Sequence, residues 1–304
     1  MLELAAIRSA RERITPFVHR TPVLTSQSLN RLFNKELYFK GEHLQKTGSF
    51  KARGALNAAL QLKAPRGLLG VSSGNHAQGV AYAARVLGVP ALIVMPEDAS
   101  PLKKEVTRSY GAEIYDRGVR GDNREAIARA LAEETGYTLI HPFDDEEVMA
   151  GQGTLALEFL EDVPELEAVL VAVGGGGLIS GVSTAVKALS PNTQVLGVEP
   201  ALADDARRSL EAGRLYRLEQ TPPTIADGVR TLSLGERPWQ VIRQRVDRIL
   251  IAQEASILEA QRLLLGRLKQ VVEPTGALAL APLLEKSSLP RRLGIILCGG
   301  NWLP

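Results

Sequence analysis

The chain has 304 residues, 45% of them hydrophobic, so it can bury a full core and divide into two lobes of ordinary domain size. Its 36 basic and 34 acidic residues leave a formal charge of +2, and the scattered basic residues argue against nucleic acid as a partner. A single cysteine excludes an internal disulfide, and the four histidines are too dispersed for a familiar zinc spacing. These features predict a soluble cytoplasmic protein.

The first predicted element is a surface helix over Met1–Arg13. Charged residues interrupt its apolar pattern, which differs from the continuous apolar stretch of a signal peptide. Nowhere is there an apolar run long enough to span a membrane. The sequence therefore predicts neither a secretion signal nor a membrane partner.

The next feature is a lysine at a predicted helix start. Ser49 can cap a helix that begins at Phe50, which places Lys51 in the first turn, near backbone N–H groups that can hold an anion. A lone lysine in such a place is usually a solvated surface charge. Lys51 becomes a functional candidate only together with the motifs that follow.

Short apolar, β-branched segments alternate with segments of helical periodicity over most of the remaining chain. The predicted strands are Leu68–Val71, Ala91–Val94, Ala168–Val173, Val195–Val198 and Leu293–Leu297. The predicted helices are Asn75–Leu87, Pro101–Tyr110, Asp122–Glu134, Gly177–Ala188 and Ser256–Leu268, with Gly88, Gly111 and Gly136 as C-terminal stops. This alternation predicts an α/β fold with parallel sheet flanked by helices.

A polar turn, Ser72-Ser73-Gly74-Asn75-His76, follows the first of these strands and opens the next helix. Hydroxyl groups, an amide and a helix N-terminus together make a binding place suited to a carboxylate. Ser73 or Asn75 could instead simply cap the helix, which is the commoner use of these residues. His76 could be a general base, but we expect it to be structural.

Four consecutive glycines, Gly174, Gly175, Gly176 and Gly177, stand between a predicted strand and a predicted helix. Their backbone amides and the helix N-terminus are expected to form a phosphate cradle. A tight turn that needs positive φ explains one or two glycines, whereas four carry a large cost in chain entropy.

The same strand, glycine turn and helix lead to a second strand that ends in Glu199, which also outlines a dinucleotide-binding unit. The fingerprint G-x-G-x-x-G fails, because Ile179 or Ser180 stands where the third glycine is required. A dinucleotide-dependent oxidoreductase is therefore a remote alternative.

Taken in order, four motifs of the chain resemble the fold-type II pyridoxal-phosphate enzymes, and within them the threonine dehydratase and serine racemase group. The motifs are Ser49-Phe50-Lys51-Ala52-Arg53-Gly54, Ser73-Gly74-Asn75-His76, Gly174–Gly177 and Cys298-Gly299-Gly300-Asn301. The resemblance implies a two-lobed, tryptophan synthase β-like α/β fold. It places the large cofactor-binding domain at residues 1–58 and 146–304, and a small domain that closes over substrate at residues 67–144.

The resemblance also implies the role of each motif. Lys51 would carry pyridoxal phosphate as a Schiff base, with Phe50 packed on its ring, and the Gly174–Gly177 loop would bind its phosphate. Asn75 would lie near the phenolic oxygen of the cofactor. The turn Ser72, Ser73, Gly74, Asn75 and His76 would hold the carboxylate of a small amino-acid substrate.

Cys298 stands where the group generally has a serine, or in some dehydratases a cysteine, facing the pyridine nitrogen. A neutral partner leaves the ring a weaker electron sink, so loss of a β-hydroxyl is favoured over transamination. Cys298 could equally be a small buried hydrophobe beneath the Gly299-Gly300 turn.

The activity that the resemblance implies is dehydration and deamination of L-threonine, L-serine or a 3-hydroxy relative to a 2-oxo acid and ammonia, with Lys51 as base. Ser73 opens two alternatives, serine racemase, in which this serine is a second proton carrier, and threo-3-hydroxyaspartate dehydratase. Arg124 matches an arginine near the active-site entrance of racemases. Sulfur transfer is disfavoured, because cysteine synthases have Asp-Arg after the lysine and this chain has Ala52-Arg53.

A divalent cation site is the last feature that the resemblance implies. Glu199, the carbonyl of Ala203 and Asp205 would be its ligands, and oxygen ligands suit magnesium or calcium. Asp204 could alternatively begin a helix here as an acidic cap. The resemblance also suggests a homodimer.

Overall fold

The structure, a computed structural model, describes residues 1–99, 101–121, 123–285 and 287–302. The strands in these ranges are β1 (Val23–Leu24), β2 (Glu36–Lys40), β3 (Leu68–Val71), β4 (Ala91–Val94), β5 (Glu113–Tyr115), β6 (Thr138–Leu139), β7 (Ala168–Ala172), β8 (Gln194–Pro200), β9 (Arg248–Ala252) and β10 (Arg292–Ile296). They form two separate sheets. The first has the order β1-β2-β10-β7-β8-β9, and the second has the order β5-β4-β3-β6.

The α-helices of the described residues surround these sheets. They are α1 (Leu4–Ile14), α2 (Gln27–Phe33), α3 (Lys51–Leu60), α4 (Asn75–Leu87), α5 (Pro101–Ser109), α6 (Arg124–Thr135), α7 (Glu146–Asp162), α8 (Gly177–Leu189), α9 (Asp205–Ala212), α10 (Glu236–Arg245), α11 (Glu254–Leu263) and α12 (Pro274–Ala277). All strand pairs in the described ranges are parallel except β1 with β2. The predicted α/β class with parallel sheets flanked by helices is confirmed.

The five predicted strands are all present, with ends that differ by no more than two residues. The strands that were not predicted are β1, β2, β5, β6 and β9, and each of them lies at a sheet edge or next to one. Their burial patterns are partial, so they lack the continuous apolar run that identifies a central parallel strand. The apolar pattern of the sequence therefore identified the central strands of the sheets and missed the strands at or next to the edges.

The predicted helices are also present, and two details differ. The helix predicted over Ser256–Leu268 is α11 followed by a π-helical turn, Leu264–Leu268. The predicted Ser49 cap is wrong. Helix α3 begins at Lys51 with Phe50 at the N-cap, and the buried Ser49 hydroxyl makes no hydrogen bond within the described residues. Asp122, in the predicted helix Asp122–Glu134, lies outside the described residues.

Helix α7 is the central helix that the sequence did not reveal. Its residues from Val148 to Phe159 are all buried. A helix surrounded by protein has no polar face, so it shows no amphipathic periodicity. It packs against α3 on one side and α8 on another, and thus connects the two parts of the chain that carry the lysine and the glycine loop.

Close backbone packing joins α7 to α8. A Cβ added at Gly181 would lie 2.3 Å from the carbonyl oxygen of Met149 and 2.4 Å from the nitrogen of Gly153. Such distances leave no room for any side chain. The crossing of these helices, and with it the start of α8, depends on glycine at this position.

The two sheets use different parts of the chain. The first is built from residues 23–40 and 168–296, and the second from residues 68–139. The proposed domain boundaries, 1–58 with 146–304 and 67–144, are compatible with this division and stay a prediction. Among the described helices, none combines the length and the apolar character needed to cross a membrane.

Substituting Gly181→Ala is expected to lower the free energy of unfolding by about 3 kcal/mol, because the methyl group meets main-chain atoms that cannot rotate away. Gly266→Ala is the control, since nothing lies within 4 Å of its added Cβ, and a gain of about 0.5–1 kcal/mol is expected there. Urea unfolding measures both. Equal stability of the two variants would contradict the close crossing.

Candidate active site

A cavity of about 710 Å³ is lined by residues that follow strands of both sheets, after β3 of the second sheet and after β7 and β10 of the first. It is lined by every residue predicted to bind cofactor or substrate, namely Phe50, Lys51, Ser72, Ser73, Gly74, Asn75, His76, Gly174, Gly175, Gly176, Gly177 and Cys298. These residues come from distant parts of the chain. The fold therefore brings together the motifs that the sequence singled out.

Lys51 lies in the first turn of α3, and its side chain faces the cavity. Its Nζ donates a hydrogen bond to the carbonyl oxygen of Pro142 at 2.7 Å and lies 5.2 Å from the centre of the Phe50 ring. Burial lowers the pKa of Lys51 from its ordinary value to about 8. A substantial fraction of this amine is therefore neutral near physiological pH, as a nucleophile or base requires.

The polar turn before α4 leaves the helix start open. Gly74 is the N-cap residue, and no side chain caps the helix. The Ser72 hydroxyl instead accepts a hydrogen bond from the Gly74 N–H at 3.1 Å. The first N–H groups of a helix have no intrahelical acceptor, so this uncapped end can bind an anion in the cavity. Neither Ser73 nor Asn75 has the capping role that was the alternative.

The surroundings of His76 favour the expected structural role over that of a base. Its Nε2 lies 2.8 Å from the carbonyl oxygen of Ile140, and because a carbonyl can only accept, Nε2 carries the proton. Burial, with a smaller contribution from Lys51, lowers the pKa of His76 to about 3. The imidazole therefore stays neutral and its N–H stays occupied.

The glycine loop faces the cavity from the start of α8. Only Gly176 of this loop has positive φ, at 91°. An added Cβ at Gly175 would lie 2.4 Å from the Phe143 ring, and one at Gly174 would lie 3.0 Å from Cα of Val229. Close contacts with Phe143 and Val229 therefore explain glycine at positions 175 and 174, where φ is not positive. The unusual run allows a bare backbone and a helix N-terminus to line the cavity.

Cys298 is a buried free thiol that lines the cavity. Its Sγ lies 3.5 Å from the carbonyl oxygen of Thr275, which can accept the S–H proton. Burial raises the pKa of the Cys298 thiol well above its ordinary value, and Glu273 adds to the effect. The thiol is therefore neutral, and its role as partner of a pyridine nitrogen stays a prediction.

A buried ion network fixes the first turn of α3 just after Lys51. The Arg53 guanidinium, 1% exposed, donates from Nε to Glu42 at 2.8 Å and from Nη1 to Glu158 at 2.7 Å. Lys40 donates to the second oxygen of Glu158 at 2.6 Å. Burial opposes ionisation of Glu42, but Arg53 outweighs it and lowers the pKa of that carboxyl. Two positive and two negative groups thus balance inside the core.

Sequence reasoning missed several residues of the cavity. Glu273 accepts a hydrogen bond from Asn75, and Lys103 of α5 forms an ion pair of 2.6 Å with Asp227. Asp227 also lines the cavity. A single acidic residue beside an apolar segment carries no sequence signal. Only the tertiary contacts identify these groups.

The predicted cation ligands lie elsewhere and do not line the cavity. Glu199, Ala203 and Asp205 are all buried. Glu199 accepts hydrogen bonds from the N–H groups of Ala206 and Arg207, each at 2.9 Å, so it, and not Asp204, caps α9. Burial and the neighbouring Asp205 raise the pKa of Glu199. Within the described residues no group of three or more His, Cys, Asp or Glu side chains is arranged to hold a metal.

Replacing Arg53 by methionine is expected to lower the free energy of unfolding by about 3–5 kcal/mol, because two buried carboxylates then share only Lys40. Arg11→Met removes an ion pair with Glu161 that is well exposed, and a loss of no more than about 1 kcal/mol is expected. Denaturant unfolding compares the two. A loss at Arg53 as small as at Arg11 would contradict the network.

Comparison with known proteins agrees with this site. The family model described as pyridoxal-phosphate dependent enzyme matches residues 14–299. L-threo-3-hydroxyaspartate ammonia-lyase of Saccharomyces cerevisiae is 46% identical over 300 residues, with 97% of this chain and 92% of that protein covered. Serine racemase of Arabidopsis thaliana is 44% identical over 309 residues, with 98% and 93% covered.

A solved structure gives the same result. The threonine deaminase of T.th. superposes on this chain with a TM-score of 0.97 and 62% sequence identity, over 99% of this chain and 100% of that one. The resemblance inferred from the four motifs is thereby confirmed. The chain belongs to the family of pyridoxal-phosphate-dependent enzymes.

Proposed function

We propose that this chain dehydrates and deaminates L-threonine, and L-serine or a related 3-hydroxy amino acid, to a 2-oxo acid and ammonia. The observation that carries the proposal is the Lys51 amine, whose burial lowers its pKa to about 8, facing a cavity that two open helix N-termini also line. The similarity to threonine deaminase supports the substrate class. The family membership leaves the dinucleotide-binding alternative without support.

The residues of the cavity fit pyridoxal phosphate. An aldehyde requires a neutral amine, which Lys51 supplies, and a phosphate requires backbone N–H groups, which the Gly174–Gly177 loop and the start of α8 supply. The neutral Cys298 thiol suits the pyridine nitrogen. When bound, pyridoxal phosphate supplies an electron sink that stabilises negative charge at the Cα of an amino acid.

Residues of the chain itself bind the substrate and transfer the proton. The open start of α4, with Ser72 and Gly74, holds the substrate carboxylate through its N–H groups. The Lys51 amine removes the Cα proton, because its lowered pKa allows it to accept and return a proton near neutral pH. Phe50 and the glycine loop enclose the site. Cys298 would be the partner of the ring nitrogen, and its neutral thiol would favour elimination of the β-hydroxyl.

The first alternative, serine racemisation, depends on Ser73. Its hydroxyl lines the same cavity as Lys51, so it could act as a second proton carrier, and the similarity to a serine racemase supports that role. Racemisation then competes with elimination after the same first proton transfer. We favour elimination as the main outcome because of the neutral Cys298.

Arg124 favours a second substrate, threo-3-hydroxyaspartate. This arginine at the start of α6 lines the cavity, where a guanidinium can bind a second carboxylate. The similarity to an L-threo-3-hydroxyaspartate ammonia-lyase supports it. Threonine has no second carboxylate, so the two substrates differ in their need for Arg124.

Borohydride reduction of the purified protein followed by peptide mapping is expected to find a pyridoxyl group on Lys51. Lys51→Ala is expected to lose this adduct and at least about 1000-fold in turnover, because base and attachment point disappear together. Lys63→Ala, an exposed lysine, serves as the control and keeps both. An unmodified Lys51 in the wild-type protein would sink the proposed function.

The product assay decides among the reactions. Ammonia and 2-oxo acid are measured with threonine, serine and threo-3-hydroxyaspartate, and D-serine is measured in parallel. Dehydration predicts 2-oxo acid as the main product from threonine. D-Serine as the main product would overturn that proposal in favour of a racemase, and preferential turnover of hydroxyaspartate would favour the second substrate.

We also propose a divalent cation, magnesium or calcium, bound by Glu199, Asp205 and the Ala203 carbonyl. The Oδ2 atom of Asp205 is buried without a hydrogen-bond partner among the described residues, and a cation would supply one. Two buried carboxylates also repel each other, which a divalent ion relieves. The donor set therefore fits a hard cation.

Adding Mg²⁺ or Ca²⁺ to chelator-treated protein is expected to raise the melting temperature, since binding at 100 times Kd adds about 2.7 kcal/mol. Asp205→Asn is expected to lose most of this rise. An equal rise in the variant, or no rise in the wild type, would argue against a cation here.

Two further proposals concern the whole molecule. We propose a cytoplasmic homodimer, in line with the resemblance, and the reduced, buried Cys298 suits a reducing compartment. Sedimentation velocity checks the dimer, and a single monomeric species at micromolar concentration would contradict it.

A further inference from the structure

Glu273 is a buried carboxyl group that the proposed reaction does not use. It lies at the N-cap position of α12, is 5% exposed, and lines the cavity. Its backbone N–H donates to the carbonyl oxygen of Gly299 at 3.1 Å, which holds it beside the Cys298 turn. A buried carboxyl group normally has a partner that explains its presence.

The partner is the side chain of Asn75. Nδ2 of Asn75 donates to Oε1 of Glu273 at 2.7 Å, and Oδ1 of Asn75 accepts from Nδ2 of Asn301 at 2.7 Å. Each end of the Asn75 amide therefore has one hydrogen bond. A third residue, Gly299, makes the approach possible, because a Cβ there would lie 2.2 Å from Oε1 of Glu273.

The orientation of these amides is determined by a group that can only accept. Nδ2 of Asn301 also donates to the backbone carbonyl of Thr47 at 2.8 Å. Since a carbonyl has no proton, the nitrogen of Asn301 must face it. That nitrogen also faces Asn75, so Asn75 presents its oxygen to Asn301 and its nitrogen to Glu273.

An amide nitrogen has two protons, and Glu273 takes one of them. The other is left for an acceptor in the cavity. Burial raises the pKa of Glu273 to about 7, and Asp227 adds to the rise while the Asn75 hydrogen bond opposes it. An acceptor oxygen is present in either protonation state, so the orientation of Asn75 is kept in both.

We propose that Glu273 is a positioning residue, which fixes the Asn75 amide so that one N–H is presented to an oxygen of the bound cofactor. The inference rests on the proposed function, since it needs a cofactor in the cavity. The chain of contacts is Thr47, Asn301, Asn75 and Glu273, and Asn75 is the member that would contact the ligand. Without Glu273 the Asn75 side chain loses the partner that orders its nitrogen.

The test is a double-mutant cycle on the holoenzyme with two readouts, the dissociation constant for pyridoxal phosphate, from equilibrium dialysis, and the visible absorption spectrum of the bound cofactor. Glu273→Met, which keeps volume but has no acceptor oxygen, and Asn75→Ala are each expected to weaken binding by about tenfold. The double variant is expected to be no more than about twofold weaker than Asn75→Ala. Both single variants are expected to shift the spectrum alike.

Glu273→Gln keeps an acceptor oxygen and is expected to restore affinity to within about twofold of wild type. Glu12→Met, an exposed glutamate of α1, is the control for loss of charge. If Glu273→Met does not fold, Glu273→Ala takes its place in the cycle. Losses that multiply in the double variant, or a Glu273→Gln variant as weak as Glu273→Met, would overturn the role of Glu273. A wild-type protein that binds no pyridoxal phosphate at Lys51 would instead overturn the proposed function.

Discussion

The structure depends on a balanced set of charges buried in its core. Arg53 connects the first turn of α3 to Glu42, after β2, and to Glu158, on α7, while Lys40 completes the balance. An unpaired charge in this position would cost several kcal/mol, so the four groups require one another. Because Arg53 is only two residues from Lys51, the same contacts that hold three elements together also fix the start of the lysine's helix.

The second constraint on the structure is that glycine, with no side chain, stands where helices and loops approach each other closely. Glycine at position 181 lets α8 approach α7 at backbone distance, and glycines at the start of α8 let that helix end lie against Phe143. The close approach aims the positive end of α8 at the cavity, where the open start of α4 also points. The anion binding that we propose is therefore a consequence of helix packing, and needs no cationic side chain.

Burial then sets the chemical properties of the few titratable groups that reach the cavity. It lowers the pKa of Lys51 to about 8, keeps His76 neutral and keeps the Cys298 thiol protonated. A partly neutral amine and a neutral thiol that line the same cavity suit removal of a proton without a protonated nitrogen on a cofactor ring. Burial also raises the pKa of Glu273, to about 7, and its carboxyl group accepts a hydrogen bond from Asn75.

The sequence by itself determined the α/β class, the central strands, the glycine stops and those cavity residues that belong to the four motifs, because these depend on local patterns and short motifs. It did not reveal α7, whose uniformly buried surface has no period, nor the edge strands, which lack continuous apolar runs. It predicted a helix cap at Ser49 that the structure does not have. Capping potential can be read from the local sequence, whereas the contacts of a buried side chain come from distant parts of the chain. The contact of Glu273 with Asn75 and that of Arg53 with Glu158 were decided by tertiary structure alone, because groups more than 100 residues apart meet only when the sheets and helices pack.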